Sequence, residues 1–253
     1  MNFILIIFRF PLVIFHVSAG LIILIFFPSK NINLKPIHHM ISCIWMKILF
    51  KIFGFKLIKI GEVDLDAKSY ISNHVTLFDI IVINSIIPVN FVAKSEIKNW
   101  PIIGHLSAKT GTIFINRGDS SDNERVIMTI QSYLKMNKKV VIFPEGRIGD
   151  GKTIRKFHSK LLKSVSDKDM KVQPIFIHYP KEYPIDNQND QSICWSDKTQ
   201  TLLKISLKCM SRWQTNVIVK FGNSINCNQS EYSLSKESFE SVSNSRNELV
   251  GRD

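Results

Sequence analysis

The sequence predicts an α/β fold, in which a largely parallel sheet is flanked by helices and preceded by an N-terminal helical segment. After Gly61, short apolar strand segments alternate with segments of helical length. This alternation is typical of a parallel sheet with helices on both faces. Before Gly61, the chain contains two helix-length segments, one apolar and one amphipathic and basic. A length of 253 residues leaves room for one such domain with a small appendage.

Residues 1–55 are predicted to form a membrane anchor. Residues 12–27 make an apolar run that is broken at only three positions, slightly short of the roughly 20 residues that span a bilayer. Residues 36–53 have the pattern of a basic amphipathic helix at a membrane surface, and a helix packed on the soluble core is the alternative. The sequence leaves open whether the two segments span the bilayer or lie in one leaflet. A signal peptide is disfavoured because no small-residue cleavage site follows the run.

The distribution of charge indicates an anionic partner. The formal net charge is +12, and residues 1–61 carry seven Lys or Arg and no Asp or Glu. Six of those seven follow the apolar run, which favours the cytoplasm for the C-terminal side. An anionic membrane or a phosphorylated substrate fits this charge. Nucleic acid is disfavoured because the sequence has no known nucleic-acid-binding motif. The four cysteines lack metal-ligand spacing and are expected to be reduced thiols.

Residues 56–225 are predicted to form the α/β domain, and residues 226–253 a polar, mobile C-terminal tail rich in Ser, Asn and charge. Strands are predicted at 69–72, 90–93, 112–116, 139–143, 172–178 and 216–221, and helices near 76–87, 96–108, 121–137, 157–165 and 199–211.

The segment Asn73–Asp79 lies between the first of these strands and the first of these helices. On one continuous helix His74 and Asp79 would lie about 140° apart and could not meet. They can meet if the helix begins between them, and Thr76 is a good N-cap for such a helix. The carboxylate would then hold one imidazole nitrogen and leave the other as a base. Taken alone, a His near an Asp is more often a surface or capping residue.

The pattern Asn73-His74-x-Thr76-x-x-Asp79 resembles the first signature of the glycerolipid acyltransferases, the family that includes 1-acylglycerol-3-phosphate acyltransferase. Three further blocks resemble the family's later motifs in the same order, so that the resemblance covers about residues 60–225. They are Gly111–Arg117, Phe143–Arg147 and Val172–Ile177. The resemblance implies acyl transfer from acyl-CoA or acyl-carrier protein to the hydroxyl of a lysolipid, with no cofactor. His74 would be the catalytic base and Asp79 its orienting partner.

The resemblance also implies an acceptor site. Arg117 would hold the anionic head group of the lysolipid, and Lys94 would lie near its phosphate, although a solvated side chain is the alternative for both. Glu145, Gly146 and Arg147 would organise the same site from the loop after a buried strand. Ligands of open α/β sheets bind at that end of the strands.

One departure from the family pattern leaves the acceptor open. Phosphate-accepting members commonly have Arg second after the glycine, whereas here Arg147 is first. The segments Gly149–Gly151 and Cys194–Asp197 look more like bacterial lyso-ornithine-lipid acyltransferases, and Asp150 could meet an ornithine amine. The leading expectation is an inner-membrane enzyme, with its catalytic domain facing the cytoplasm, that converts 1-acylglycerol 3-phosphate to phosphatidic acid. Another lysolipid is the alternative acceptor, and a thioester hydrolase or a non-catalytic basic membrane adaptor would be a different class of protein.

Overall fold

The structure is a computed structural model, and it describes residues 2–28, 31–116, 120–166, 168–184, 187–195 and 199–251. Within this part, the α-helices are α1 Phe3–Ile23, α2 Pro36–Ile52, α3 Phe78–Ile86, α4 Ile103–Lys109, α5 Ser120–Lys135, α6 Leu202–Met210 and α7 Glu231–Val250. The strands are β1 Phe55–Ile60, β2 Ser69–Ser72, β3 Asn90–Lys94, β4 Ile113–Ile115, β5 Val140–Ile142, β6 Lys171–His178, β7 Thr215–Phe221 and β8 Ile225–Asn226.

The strands form one sheet in the order β1-β7-β6-β2-β5-β3-β4, and β8 pairs with β6. Neighbouring strands run parallel except at β6–β7 and β6–β8, which are antiparallel. The predicted fold class, a largely parallel sheet flanked by helices, is therefore confirmed. All six predicted strands are present to within one or two residues at each end. The predictions did not include β1 and β8.

Side chains of the central strands alternate between two cores. Tyr70 of β2 belongs to the core under α2, α3 and α6, whereas its neighbour Ile71 belongs to the core under α5 and α7. Both residues are fully buried, as expected for a strand covered on both faces.

Two of the predicted helices differ from expectation. The segment predicted as a helix near 96–108 is a 3₁₀ turn, Ser95–Asn99, followed by α4. Pro101 separates them, because proline disfavours helical backbone at the preceding residue, and Trp100 is extended. The helix predicted near 157–165 is a short 3₁₀ turn, Lys160–Ser164.

The prediction of a mobile tail after residue 226 was wrong. Ser230 caps α7, and the helix buries Leu234 and Val242 in the core on its side of the sheet. Ser235 and Ser238 are buried on the same helix, and their small side chains allow close packing. Low apolar content made this segment resemble a disordered tail, although Phe239, Leu249 and Val250 also pack against this core.

Helix α2 has two different faces. Leu49 and Phe50 belong to the core that covers α3, as the alternative of a core-packed helix predicted. The opposite face exposes Ile37, Met40, Ile44 and Ile48.

Helix α1 lies against the domain along its length. At its start, the Asn2 backbone N–H donates to Ser211 O at 3.3 Å, and Arg9 Nη2 donates to Trp213 O at 3.1 Å, just beyond α6. Further along, the His16 ring stacks on Trp45 of α2 with centroids 4.6 Å apart. By length and composition, Phe3–Phe26 is long and apolar enough to cross a membrane.

Candidate active site

The turn between β2 and α3 is fixed to the centre of the sheet by Asn73. Its Nδ2 donates to Ile177 O at 2.9 Å, and its Oδ1 accepts the Ile177 N–H at 2.8 Å. These two bonds join the turn to β6, the neighbour of β2. The next residue, His74, is thereby held at the carboxyl ends of the parallel strands, where open α/β sheets bind their ligands.

His74 and Asp79 meet as the sequence predicts. His74 Nδ1 lies 2.7 Å from Asp79 Oδ2, and Asp79 is fully buried in the first turn of α3. A carboxylate accepts hydrogen bonds, so we assign the proton of the neutral imidazole to Nδ1. His74 Nε2 is then free to act as a base.

The helix start differs in detail from the prediction. α3 begins at Phe78, and Leu77, not Thr76, occupies the N-cap position. The Asp79 carboxylate reaches back and accepts the backbone N–H groups of Val75 at 2.8 Å and Thr76 at 3.1 Å. The carboxylate therefore satisfies two backbone donors of the turn that precedes the helix.

Tyr179 contacts the pair of His74 and Asp79, called the dyad below, and the sequence analysis did not single it out. It follows β6 directly, is fully buried, and donates its hydroxyl to Asp79 Oδ1 at 2.7 Å. Burial, together with the nearby Asp79 carboxylate, raises the pKa of Tyr179 well above its usual value, so its hydroxyl remains a donor. Asp79 thus accepts four hydrogen bonds, which fix the orientation of both its oxygens. Nothing in the local sequence marks Tyr179, because it lies 100 residues from Asp79.

Glu145 organises the turn from the loop after β5. Its Oε1 accepts the His74 backbone N–H at 2.9 Å, and its Oε2 accepts the Arg155 backbone N–H at 3.2 Å. Burial raises the pKa of Glu145, although both backbone donors oppose that shift. The preceding Phe143 stacks on the His74 ring with centroids 4.0 Å apart. The Phe-Pro-Glu-Gly block therefore positions the histidine.

A pocket of about 1190 Å³ opens in front of the dyad. Of the predicted acceptor-site residues, Lys94, Glu145, Gly146 and Arg147 line it together with His74. Arg147 is exposed, and Lys94 forms an ion pair with Glu96. The remaining predicted residue, Arg117, lies outside the described residues.

His158 and Lys160 also line the pocket, and sequence reasoning missed both. His158 lies over Gly146, whose φ of +71° brings the loop close to the ring. The sequence signal available for these two residues was the basic segment that follows the Phe143–Arg147 block.

A second, apolar cavity of about 300 Å³ adjoins this pocket. It lies between α1, α2, α3 and α4, and five residues line both spaces: Leu77, Ile80, Ala93, Ile97 and Trp100. The described residues contain no group of three or more His, Cys, Asp or Glu side chains that could hold a metal ion. The four cysteines are free thiols.

Comparison with known proteins identifies the family. The family model described as "Acyltransferase" matches residues 69–178, from β2 to the end of β6. The chain is 30% identical to a lyso-ornithine lipid O-acyltransferase of Pseudomonas aeruginosa over 150 residues, 59% of this chain and 58% of that protein. It is 32% identical to a 1-acyl-sn-glycerol-3-phosphate acyltransferase of Helicobacter pylori over 167 residues, 64% of this chain and 68% of that protein.

The fold is also found in a solved structure. The crystal structure of the 1-acyl-sn-glycerophosphate (LPA) acyltransferase of Thermotoga maritima is similar over 100% of this chain and 97% of that one, with a TM-score of 0.69 and 16% identity. The chain spans about half the length of most of the curated relatives that it matches, for example 58% of the Pseudomonas protein. The Helicobacter relative is matched over two thirds of its length, and this chain therefore belongs to the acyltransferase family.

Proposed function

We propose that this protein transfers a fatty acyl group from acyl-CoA or acyl-carrier protein to the hydroxyl of 1-acylglycerol 3-phosphate, giving phosphatidic acid. The observation that carries the proposal is the buried His74–Asp79 pair, whose histidine lines a pocket that contains several cations and adjoins an apolar cavity. Such an arrangement suits a reaction that joins a lipid with a charged head group to an acyl chain.

In the proposed reaction, His74 Nε2 removes the proton of the acceptor hydroxyl as the oxygen attacks the thioester carbonyl. Asp79 orients the ring and stabilises the imidazolium that forms. Collapse of the tetrahedral intermediate breaks the carbon–sulfur bond, and the departing sulfur takes the proton from the imidazolium. No Ser or Cys nucleophile is required, since the acceptor hydroxyl attacks directly. General-base assistance of this kind contributes roughly 10²–10⁴ in rate.

The pocket that His74 lines is the proposed site of the acceptor's head group. Lys94, Arg147 and Lys160 line it, and Arg117 is proposed to join them. Several cations suit a phosphomonoester, which carries up to two negative charges. The rival acceptor, lyso-ornithine lipid, has an amine that a carboxylate such as Asp150 could meet. Asp150 is not among the described lining residues, whereas Glu96 and Glu145 are.

The acceptor assignment is tested by acyl transfer from a labelled donor to a panel of lysolipids. We expect the phosphomonoester to be the best acceptor, and Arg147→Ala to lower kcat/KM for it by roughly tenfold, because lost charge pairing weakens positioning of the hydroxyl. Lys236→Ala, an exposed cation on α7 outside the pocket, is the matched control and should have no effect. A change of less than threefold for Arg147→Ala, with lyso-ornithine lipid preferred in direct competition, would transfer the assignment to the rival.

We further propose that α1 and α2 hold the protein in one leaflet of the cytoplasmic membrane, with the catalytic domain on the cytoplasmic side. A helix that crosses the bilayer leaves its soluble domain at one end. Here both ends of α1 contact the domain, at Asn2 and at Leu24, whose apolar cluster includes Leu106 of α4. The exposed faces of α1 and α2 are both apolar, which suits burial in the lipid boundary.

The anchor is tested by the double substitution Phe8→Glu and Phe15→Glu. Both side chains are exposed, at 69% and 74%, so the change should spare the core. We expect the protein to move from the membrane pellet to the soluble fraction, with vesicle partitioning weakened by at least roughly a hundredfold, since each of the two lost aromatic contacts contributes about 1.5–3 kcal/mol. Met128→Glu, an equally exposed apolar residue on α5, is the control. Unchanged pelleting of the double variant would place the anchor elsewhere.

A further inference from the structure

The apolar cavity contains a buried amide that the fold does not use. Leu77, Ile80, Ile81 and Asn84 line it at positions i, i+3, i+4 and i+7 of one stretch leading through α3. Three of these residues are aliphatic, as expected for the wall of an apolar cavity. The fourth, Asn84, is 6% exposed, and its Oδ1 has no hydrogen-bond partner among the described residues.

An unpaired buried amide oxygen is costly. Leaving such a group unsatisfied costs about 1–3 kcal/mol, whereas an aliphatic side chain would avoid the cost. Asn90, 2% exposed, also lines the cavity with an unpaired Oδ1, although its Nδ2 donates to Lys139 O at 3.1 Å and so serves the fold. By contrast, no side-chain hydrogen bond ties Asn84 to the described part of the fold, and its Oδ1 is therefore placed for a donor that arrives with a ligand.

We propose that this cavity recognises an acyl chain that carries a hydroxyl group, whose O–H donates to Asn84 Oδ1. This inference rests on the proposed acyl transfer. A hydroxyl is the matching chemistry because it is small, neutral and a donor. A charged group does not suit the site, since the described residues lining the cavity include no Asp, Glu, Lys or Arg.

The position of Asn84 indicates where the hydroxyl lies. Ile80 belongs to the wall shared with the dyad pocket, and Asn84 is four residues further along α3, roughly 6 Å along the helix axis. The hydroxyl is therefore placed within the chain and away from the reacting carbonyl. The hydroxylated chain can belong to the donor or to the lysolipid, and the two sources are separated by experiment.

The test compares acyl chains of equal length. One chain has no hydroxyl, and each of the others carries a single hydroxyl at a different carbon. One arm varies the thioester donor against a plain lysolipid, and the other varies the lysolipid against a plain donor. In one arm, we expect one hydroxyl position to raise kcat/KM by roughly fivefold to tenfold, the worth of one buried hydrogen bond. Asn84→Leu should abolish that preference and raise the unfolding temperature, because it removes an unsatisfied polar group. Ile81→Leu, on the same face, is the matched control and should keep the preference.

A binding arm keeps this inference separate from the acyl-transfer proposal. In His74→Ala, which is expected not to turn over, the matching free hydroxy fatty acid should raise the unfolding temperature more than the plain acid. Asn84→Leu and Asn84→Ala in the same background should remove that difference, so that the test does not depend on one substitution folding. The inference is overturned if no hydroxyl position is preferred in either arm, or if the preference survives both Asn84 substitutions.

Discussion

His74→Ala is expected to reduce acyl transfer to below a few per cent of the parent, a loss of roughly 10²–10⁴ in kcat. The imidazole is proposed as the base for the acceptor hydroxyl, and its Nδ1 is already engaged by Asp79 at 2.7 Å. His158 is another imidazole among the described lining residues, but it donates none of the four hydrogen bonds that Asp79 accepts. The measurement is single-turnover transfer from a labelled thioester to the lysolipid.

Two controls make the His74 result interpretable. The circular dichroism spectrum and vesicle binding of His74→Ala should match the parent, since alanine retains the backbone N–H that Glu145 accepts and Asp79 keeps its three other donors. His105→Ala, an exposed imidazole on α4 that lines neither the pocket nor the cavity, is the matched control, and we expect it to retain most of the activity. Thioester turnover by the parent without any lysolipid would indicate a hydrolase. Activity of His74→Ala above a few per cent would reject the base assignment, and a parent that binds vesicles but transfers nothing would be an adaptor.

Asp79→Asn is expected to be nearly as severe, with a loss of at least roughly 10²-fold. The amide oxygen can still accept the N–H groups of Val75 and Thr76, so the turn should persist. The Tyr179 hydroxyl can rotate and accept from the new amide nitrogen instead of donating. What disappears is the negative charge that stabilises the imidazolium, and the loss should therefore appear in kcat.

The comparison that isolates this charge is Tyr179→Phe. It removes one donor to Asp79 but leaves the carboxylate charged, so its loss of kcat should be much smaller than that of Asp79→Asn. Circular dichroism should show that both variants are folded. An Asp79→Asn protein that is folded and retains more than a tenth of the parent's kcat would contradict the orienting role.

The packing of α2 and of α7 could not be predicted from local sequence patterns. Residues 36–53 have a mixed apolar and basic pattern, and the structure places one face of α2 in the core and leaves the other exposed. The pattern could not assign the two faces, because both are apolar. Likewise, α7 has few apolar residues, and its docking depends on the surface that β6 and the Lys160–Ser164 turn present to it.

By itself, the sequence determined the alternation of strands and helices and the meeting of His74 with Asp79. Both follow from interactions within a few residues, namely hydrophobic periodicity and the geometry of a helix that begins between the two side chains. Only the tertiary structure decided the partners of the dyad, Tyr179 and Glu145, which lie 100 and 71 positions from the residues they contact. The strand order places β2 between β5 and β6, so that the chain segments following these two strands converge on the turn after β2. Such contacts depend on how distant segments pair in the sheet, and no local pattern in the sequence encodes that pairing.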